Sequence, residues 1–270
     1  MFDKKSRSFF MIPYIIWMLM FVIFPILLIL YYSLHDSNGE WSLVNYKEFF
    51  GKTYMWMTFY SFWYAFIITL VCLIISYPLA IIISRSKYKE ILLLLLILPT
   101  WINILLKTYA FIGLFGKQGT INSFLEYIGV GTQSLLFNSF SFVFVSAYIF
   151  MPFMLLPIYN AVSGINKNVI DASYDLGADL KTTFRKIILP LSMEGVKTGI
   201  QVTFIPALSI FMITRLIAGN KIINLGTAIE QHFLVTQNVG LGSTIAVFLI
   251  LIMAIIMILT NTKNKLGGRK

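Results

Sequence analysis

The sequence predicts an all-α integral membrane protein with six transmembrane helices. Three observations predict it. Of 270 residues, 58% are hydrophobic and 12% charged, with a mean hydropathy of +0.83, a balance that a soluble domain of this size cannot bury. Six apolar stretches reach the length of about 17–25 residues that crossing the hydrocarbon requires. Lysine and arginine crowd onto alternate connections between those stretches.

The first stretch, 9–32, follows Lys4, Lys5 and Arg7. It is longer than a signal peptide's apolar region, and no small-residue cleavage site follows Tyr31 and Tyr32, so an uncleaved span is expected. Pro13 and Pro25 are tolerable in a membrane helix packed on neighbours. A polar, aromatic connection carries Asp36, Glu40, Trp41 and Glu48. The second span, 56–84, has Trp56 and Tyr60 as interfacial anchors and ends in a charged turn at Arg85, Lys87, Lys89 and Glu90. The third, 91–115, holds Pro99, Trp101, Asn103, Lys107 and Tyr109 at membrane depth. A connection with a short interfacial helix at 121–128 leads to the fourth span, 137–162, which contains Pro152 and Pro157. The fifth, 193–218, opens on Glu194 and Lys197 and carries Gln201, Pro206 and Arg215. A further connection with Lys221, Glu230 and His232 precedes the sixth span, 241–260. The chain reads as one membrane domain, 1–270, with a long polar segment, 164–192, between the fourth and fifth spans.

Orientation follows from the cations. One side collects Lys4, Lys5, Arg7, Arg85, Lys87, Lys89, Lys167, Lys181, Arg185, Lys186, Lys263, Lys265, Arg269 and Lys270. The other has only Lys47, Lys52, Lys117 and Lys221. Both termini and the 164–192 segment are therefore expected in the cytoplasm, and the net charge of +10 reports topology rather than a nucleic-acid partner. A multi-pass protein of the bacterial cytoplasmic membrane is expected.

Within 164–192 the local signals predict two short helices meeting at a glycine. Asn168 is placed to cap the first, with Asp171 three residues on. Gly177 is placed to end it in a left-handed conformation. Asp179 caps the second, whose Leu180, Phe184, Ile187 and Ile188 share one face. Pro190 stops that helix or opens the next. A polar elbow of this kind is either a solvated loop or a docking element. Small Ala172 and Ser173 permit close approach, and Leu176-Gly177-Ala178 forms a compact corner.

Other chemistry is missing. There is no Gly-rich phosphate loop, so the chain is not expected to hydrolyse ATP, and no G-x-S-x-G nucleophile motif. His35 and His232 lie far apart and lack metal-ligand spacing. The single cysteine, Cys72, cannot form an intrachain disulfide and reads as helix packing.

The spacing from Asp171-Ala172-Ser173 through Gly177 to Ile187, Leu189 and Pro190 resembles the cytoplasmic EAA loop of ABC importer permeases. Asp171 stands where that family usually has Glu, and Ser173 replaces the second Ala. The likeness extends over nearly the whole chain and is closest to the spermidine/putrescine branch. It is carried by Ser76-Tyr77-Pro78-Leu79-Ala80, Leu98-Pro99-Thr100-Trp101-Ile102-Asn103, Met151 to Tyr159, Ile205-Pro206-Ala207-Leu208, Asn224-Leu225-Gly226 and Ile229 to Leu234.

The resemblance implies a type I (MetI-like) permease fold with a coupling helix between the fourth and fifth spans. It also implies a second, homologous permease, two copies of an ABC ATPase that bind the ATP and magnesium, an extracytoplasmic binding protein, and no cofactor on this chain. The residues it implies for ATPase coupling are Asp171, Ala172, Ser173, Leu176, Gly177, Ala178, Ile187, Leu189 and Pro190. Transport would proceed by alternating access. One feature resists a polycationic substrate: no carboxylate lies deep in any span, and Glu194 sits at an entrance. A polyamine would cross on aromatic faces and polar groups, for which Trp101, Asn103, Tyr109 and Tyr148 are the candidates, or on acids from the partner. Cation–π contacts offer about 0.5–2 kcal/mol each. Importers of ferric iron, thiamine or phosphonate, and an ATPase-independent carrier or channel, stay as alternatives.

Overall fold

The computed structural model describes residues 4–36, 38–219 and 221–260, with the backbone alone for 4–10 and Leu259. The C-terminal cations Lys263, Lys265, Arg269 and Lys270 lie outside the described residues. The helices are α1 (Lys4–Met18), α2 (Phe24–Ser33), α3 (Val44–Phe49), α4 (Lys52–Arg85), α5 (Lys89–Ile97), α6 (Ile104–Phe115), α7 (Thr120–Tyr127), α8 (Ser139–Ser163), α9 (Lys167–Asp175), α10 (Leu180–Thr183), α11 (Leu189–Leu208), α12 (Phe211–Ala218), α13 (Leu225–Glu230) and α14 (Val239–Thr260).

Among the described residues, four helical stretches are long and apolar enough to cross a membrane: Met11–Ser33, Lys52–Arg85, Ser139–Ser163 and Val239–Ile258. Two more qualify only as bent pairs: Lys89–Trp101 with Ile104–Tyr127, at 94°, and Leu180–Leu208 with Phe211–Ala218, at 63°. The third and fifth spans expected to be continuous are therefore broken. In the third, Pro99 lies in a 3-10 turn, Leu98–Trp101, Ile102 is extended, and Asn103 caps α6 by accepting from Leu105 N at 2.8 Å. In the fifth, Pro206 has no N–H to give its own turn; α11 ends at Leu208 and Ile210 is extended.

Two prolines that do not break their helices widen them. Pro25 follows a π-turn, Leu19–Ile23, in which Phe24 N reaches Leu19 O. Pro190 follows another, Phe184–Ile188, in which Leu189 N reaches Phe184 O. Proline lacks the donor that would satisfy the carbonyl four residues back, and its ring clashes with that carbonyl; the wider turn moves the carbonyl aside.

The described residues divide into two compact units, one within Met1–Trp56 and Ala228–Ile252, the other within Met57–Thr227 and Met253–Lys270. In the first, Phe49 stacks on Phe248 with ring centroids 4.0 Å apart. Asn45 Nδ2 donates to His35 O at 2.8 Å, and Ser33 Oγ meets the Tyr46 hydroxyl at 2.9 Å.

In the second unit α8 supplies much of the core, burying Phe142, Val145, Met154, Leu155 and Ile158. The Cys72 thiol packs against it, donating to Ala147 O at 3.5 Å. Against α8 lies α11, through Ser192, Gly195, Gly199 and Thr203, all buried. A Cβ at Gly195 would collide with Pro157 O and Ala161 Cβ. One at Gly199 would meet Met154 Sδ at 2.8 Å. This is the small-xxx-small spacing by which membrane helices approach closely.

Candidate functional site

The elbow between α8 and α11 is built by local capping. Asn166, rather than Asn168, caps α9: its side chain accepts from Asn168 N at 3.0 Å. The expected cap is displaced two residues toward the N-terminus because Asn166 has the extended backbone a cap needs and Lys167 already begins the helix. At the other end Gly177 has φ +79. Its N–H reaches Tyr174 O at 2.8 Å, and that of Ala178 reaches Ser173 O at 3.0 Å, the paired bonds of a Schellman cap. Asp179 caps α10, accepting from Thr182 N at 3.0 Å. Hydrogen bonding from Thr182, side chain first and backbone second, holds the Asp179 carboxyl below the ordinary carboxylate range.

Ser173 faces inward. It is buried, donates to Ile170 O at 2.6 Å, and meets the Thr183 hydroxyl at 3.0 Å. That contact ties α9 to α10 and fixes the angle of the elbow. Asp171, Ala172, Leu176 and Gly177 point outward, with Leu176 88% exposed. Ala178, Ile187 and Leu189 are half-buried and Pro190 is exposed. Leu180 is 70% exposed while Ile188 is buried, so the single apolar face expected for the second helix does not form. The π-turn before Pro190 shifts the register between them.

The elbow is anchored to its spans. The Tyr77 hydroxyl on α4 bonds Ser192 Oγ on α11, and the Tyr77 ring meets Phe184 edge-on at 5.7 Å. These contacts, with the Gly195 and Gly199 approach, join α4, α8, α11 and the elbow. The anchor was missed in the sequence, although Gly195 and Gly199 stand at a legible four-residue spacing.

The four pathway candidates lie at the break between α5 and α6, on α6 and on α8. Trp101 is 75% exposed at the 94° break, Asn103 is spent capping α6, and Tyr109 is exposed on α6. Tyr148, on α8, meets the Phe111 ring at 5.1 Å. At the other break Asn224 Nδ2 donates to Ile210 O and to Thr214 Oγ1, each at 3.0 Å. A Cβ on Gly226 would collide with Ser209 O. Asn224 thus bonds the carbonyl of the residue that caps α12, and Gly226 lets the chain pass close to Ser209.

His232 is held by hydroxyls. Its Nε2 meets the Tyr54 hydroxyl at 2.8 Å and its Nδ1 meets Thr236 Oγ1 at 3.1 Å. Burial lowers its pKa, partly opposed by the Glu48 carboxylate.

Several helical spans, two of them broken, with one capped polar elbow bound to the spans beside it, define a polytopic membrane protein. Residues 73–262 match the family described as binding-protein-dependent transport system inner membrane component, and the chain belongs to that family. It is thus the non-catalytic permease component of an ABC importer, a multi-pass inner-membrane protein. It is 31% identical to the spermidine/putrescine transport system permease protein PotB of Haemophilus influenzae, over 94% of this chain and 92% of the relative. To PotB of Escherichia coli K12 it is 29% identical, over 94% and 96%.

Among solved structures it is similar to a bacterial ABC transporter involved in import of the acidic polysaccharide alginate. The TM-score is 0.78 at 16% identity, covering 97% of this chain and 96% of that one. A second alginate transporter structure, in complex with a pentasaccharide-bound periplasmic protein, gives 0.71 at 17% identity over 94% and 92%. The helical importer-permease fold expected from the sequence is the fold observed.

Proposed function

We propose that this chain is the permease of an ATP-driven polyamine importer, carrying spermidine or putrescine by alternating access. One observation carries the reading: relatives that match over nearly the full length of both chains are spermidine/putrescine permeases. In this reading the elbow lies in the cytoplasm, with both termini, and docks on an ABC ATPase dimer that holds the ATP and magnesium. A second permease completes the membrane part, and an extracytoplasmic binding protein delivers the substrate. Ala172, Leu176 and Gly177 form the docking tip, and Asp171 supports it from the base of the elbow. Ser173, Ala178, Ile187, Leu189 and Pro190 set its angle and join it to α11. Trp101, Tyr109 and Tyr148 offer ring faces to a polycation, and Asn103 holds the break beside them.

The lack of a carboxylate deep in the spans favours a second reading, the same machine with another solute such as ferric iron, thiamine or phosphonate. The test is ATP hydrolysis and radiolabelled spermidine uptake by the complete complex in vesicles. Loaded binding protein should stimulate both. Stimulation by another solute and none by spermidine or putrescine would overturn the polyamine assignment and leave the permease.

A further inference from the structure

A cavity of about 500 Å3 lies at the base of the elbow. Its walls come from the end of α4 (Ile81, Ser84, Arg85), the end of α8 (Val162, Ser163), Ile165 just after it, α9 (Lys167, Ile170, Asp171, Tyr174) and Ile188. Both α4 and α8 are long and apolar enough to cross a membrane, and the ends of such helices lie toward the lipid headgroups. Five of the walls are aliphatic. The rim carries two cations, Arg85 and Lys167, against one acid, Asp171. None of the three is engaged in a hydrogen bond or ion pair among the described residues.

From this geometry we infer a binding site for one anionic glycerophospholipid, its phosphodiester held by Arg85 and Lys167 and its acyl chains laid on the isoleucine and valine wall. The net charge of the lining, +1, complements the single negative charge of a phosphatidylglycerol headgroup. The available donors agree. Ser84 Oγ donates to Ile81 O at 2.8 Å and Ser163 Oγ to Asn160 O at 3.2 Å, so their protons are spent. Arg85, Lys167 and the Tyr174 hydroxyl, which has no hydrogen bond among the described residues, are left for the phosphate. Basic pockets between membrane helices at the headgroup level bind such lipids. Because α9 forms one wall, the lipid would brace the elbow against the ends of α4 and α8 and make coupling depend on membrane composition.

This inference needs only the membrane placement of α4 and α8, not the identity of the solute. The test is native mass spectrometry of the complete transporter purified from bilayers of phosphatidylcholine with phosphatidylglycerol. One phosphatidylglycerol should survive washing for each copy of this chain. Arg85→Gln with Lys167→Gln should weaken its retention by roughly 30-fold, at two basic contacts of ordinary surface strength, while Arg85→Lys keeps it. Lys181→Gln with Lys186→Gln removes equal charge from the exposed elbow and should leave retention unchanged. Equal retention in the Arg85/Lys167 variant, equal loss in the Lys181/Lys186 variant, or displacement of the lipid by millimolar glycerol 3-phosphate would each overturn the site. Spermidine-stimulated ATP hydrolysis in pure phosphatidylcholine, measured alongside, reports separately on the transport reading.

Discussion

Gly177 is the residue on which the elbow turns. A Cβ there would meet nothing within 4 Å, so the cost of replacing it is conformational, about 1–2 kcal/mol for an L-residue in the left-handed region. Gly177→Asn should therefore retain much of the ATP hydrolysis stimulated by loaded binding protein, and Gly177→Val little. Gly177→Asp adds a charge at the docking tip beside Leu176 and should abolish stimulation. Equal activity of all three variants would refute the elbow's role.

His232 gives a second residue-scale expectation. Burial favours its neutral form, so its folded pKa lies below the unfolded value of about 6.5. Its contribution to stability is then complete above about pH 6.5 and is lost as pH falls through the lower folded value. Thermal melting of the purified complex from about pH 8 to 5 should show this decline, and His232→Gln should flatten it. The same slope in wild type and variant would assign the titration elsewhere.

At the scale of elements, the α8–α11 contact decides whether the elbow can move its spans. Gly195 faces backbone and a Cβ, whereas the nearest neighbour of Gly199 is the flexible end of Met154. Gly195→Ala should thus destabilise the complex by about 1–3 kcal/mol, the usual cost of overpacking, and Gly199→Ala by less. Thermal stability in detergent ranks the two, and the reverse order would show that α8 yields at Pro157.

Here the sequence was partly legible. The capping signals at Gly177 and Asp179 depend on a few adjacent residues and could be read directly. The cap at Asn166 was not, because Asn166 and Asn168 both suit the role and only backbone angles choose between them. The Tyr77–Ser192 and Ser173–Thr183 contacts join residues 115 and 10 positions apart, and no local pattern announces such pairs. Prolines signal an interruption but not its kind: Pro99 and Pro206 accompany breaks, while Pro25 and Pro190 follow π-turns.

For the whole molecule, apolar length and cation placement predicted helices through a membrane but not the 94° and 63° breaks. A broken span has the same composition as a straight one, and side-chain hydrogen bonds stabilise each break, accepted by Asn103 at the first and donated by Asn224 at the second. Asn103 offers a test of the solute at this scale. Aspartate caps a helix as well as asparagine does, so Asn103→Asp should preserve α6 while placing a carboxylate beside the exposed Trp101. A polyamine passing this break would be held more tightly, lowering both the KM and the maximal rate of spermidine uptake. Trp101→Leu should act oppositely, raising KM by about two- to five-fold for the loss of one exposed cation–π contact. An anionic solute would instead be repelled by Asn103→Asp and indifferent to the quadrupole of Trp101. Uptake kinetics of the two variants in vesicles separate the cases, and spermidine uptake unaltered in both would remove the break between α5 and α6 from the substrate's path.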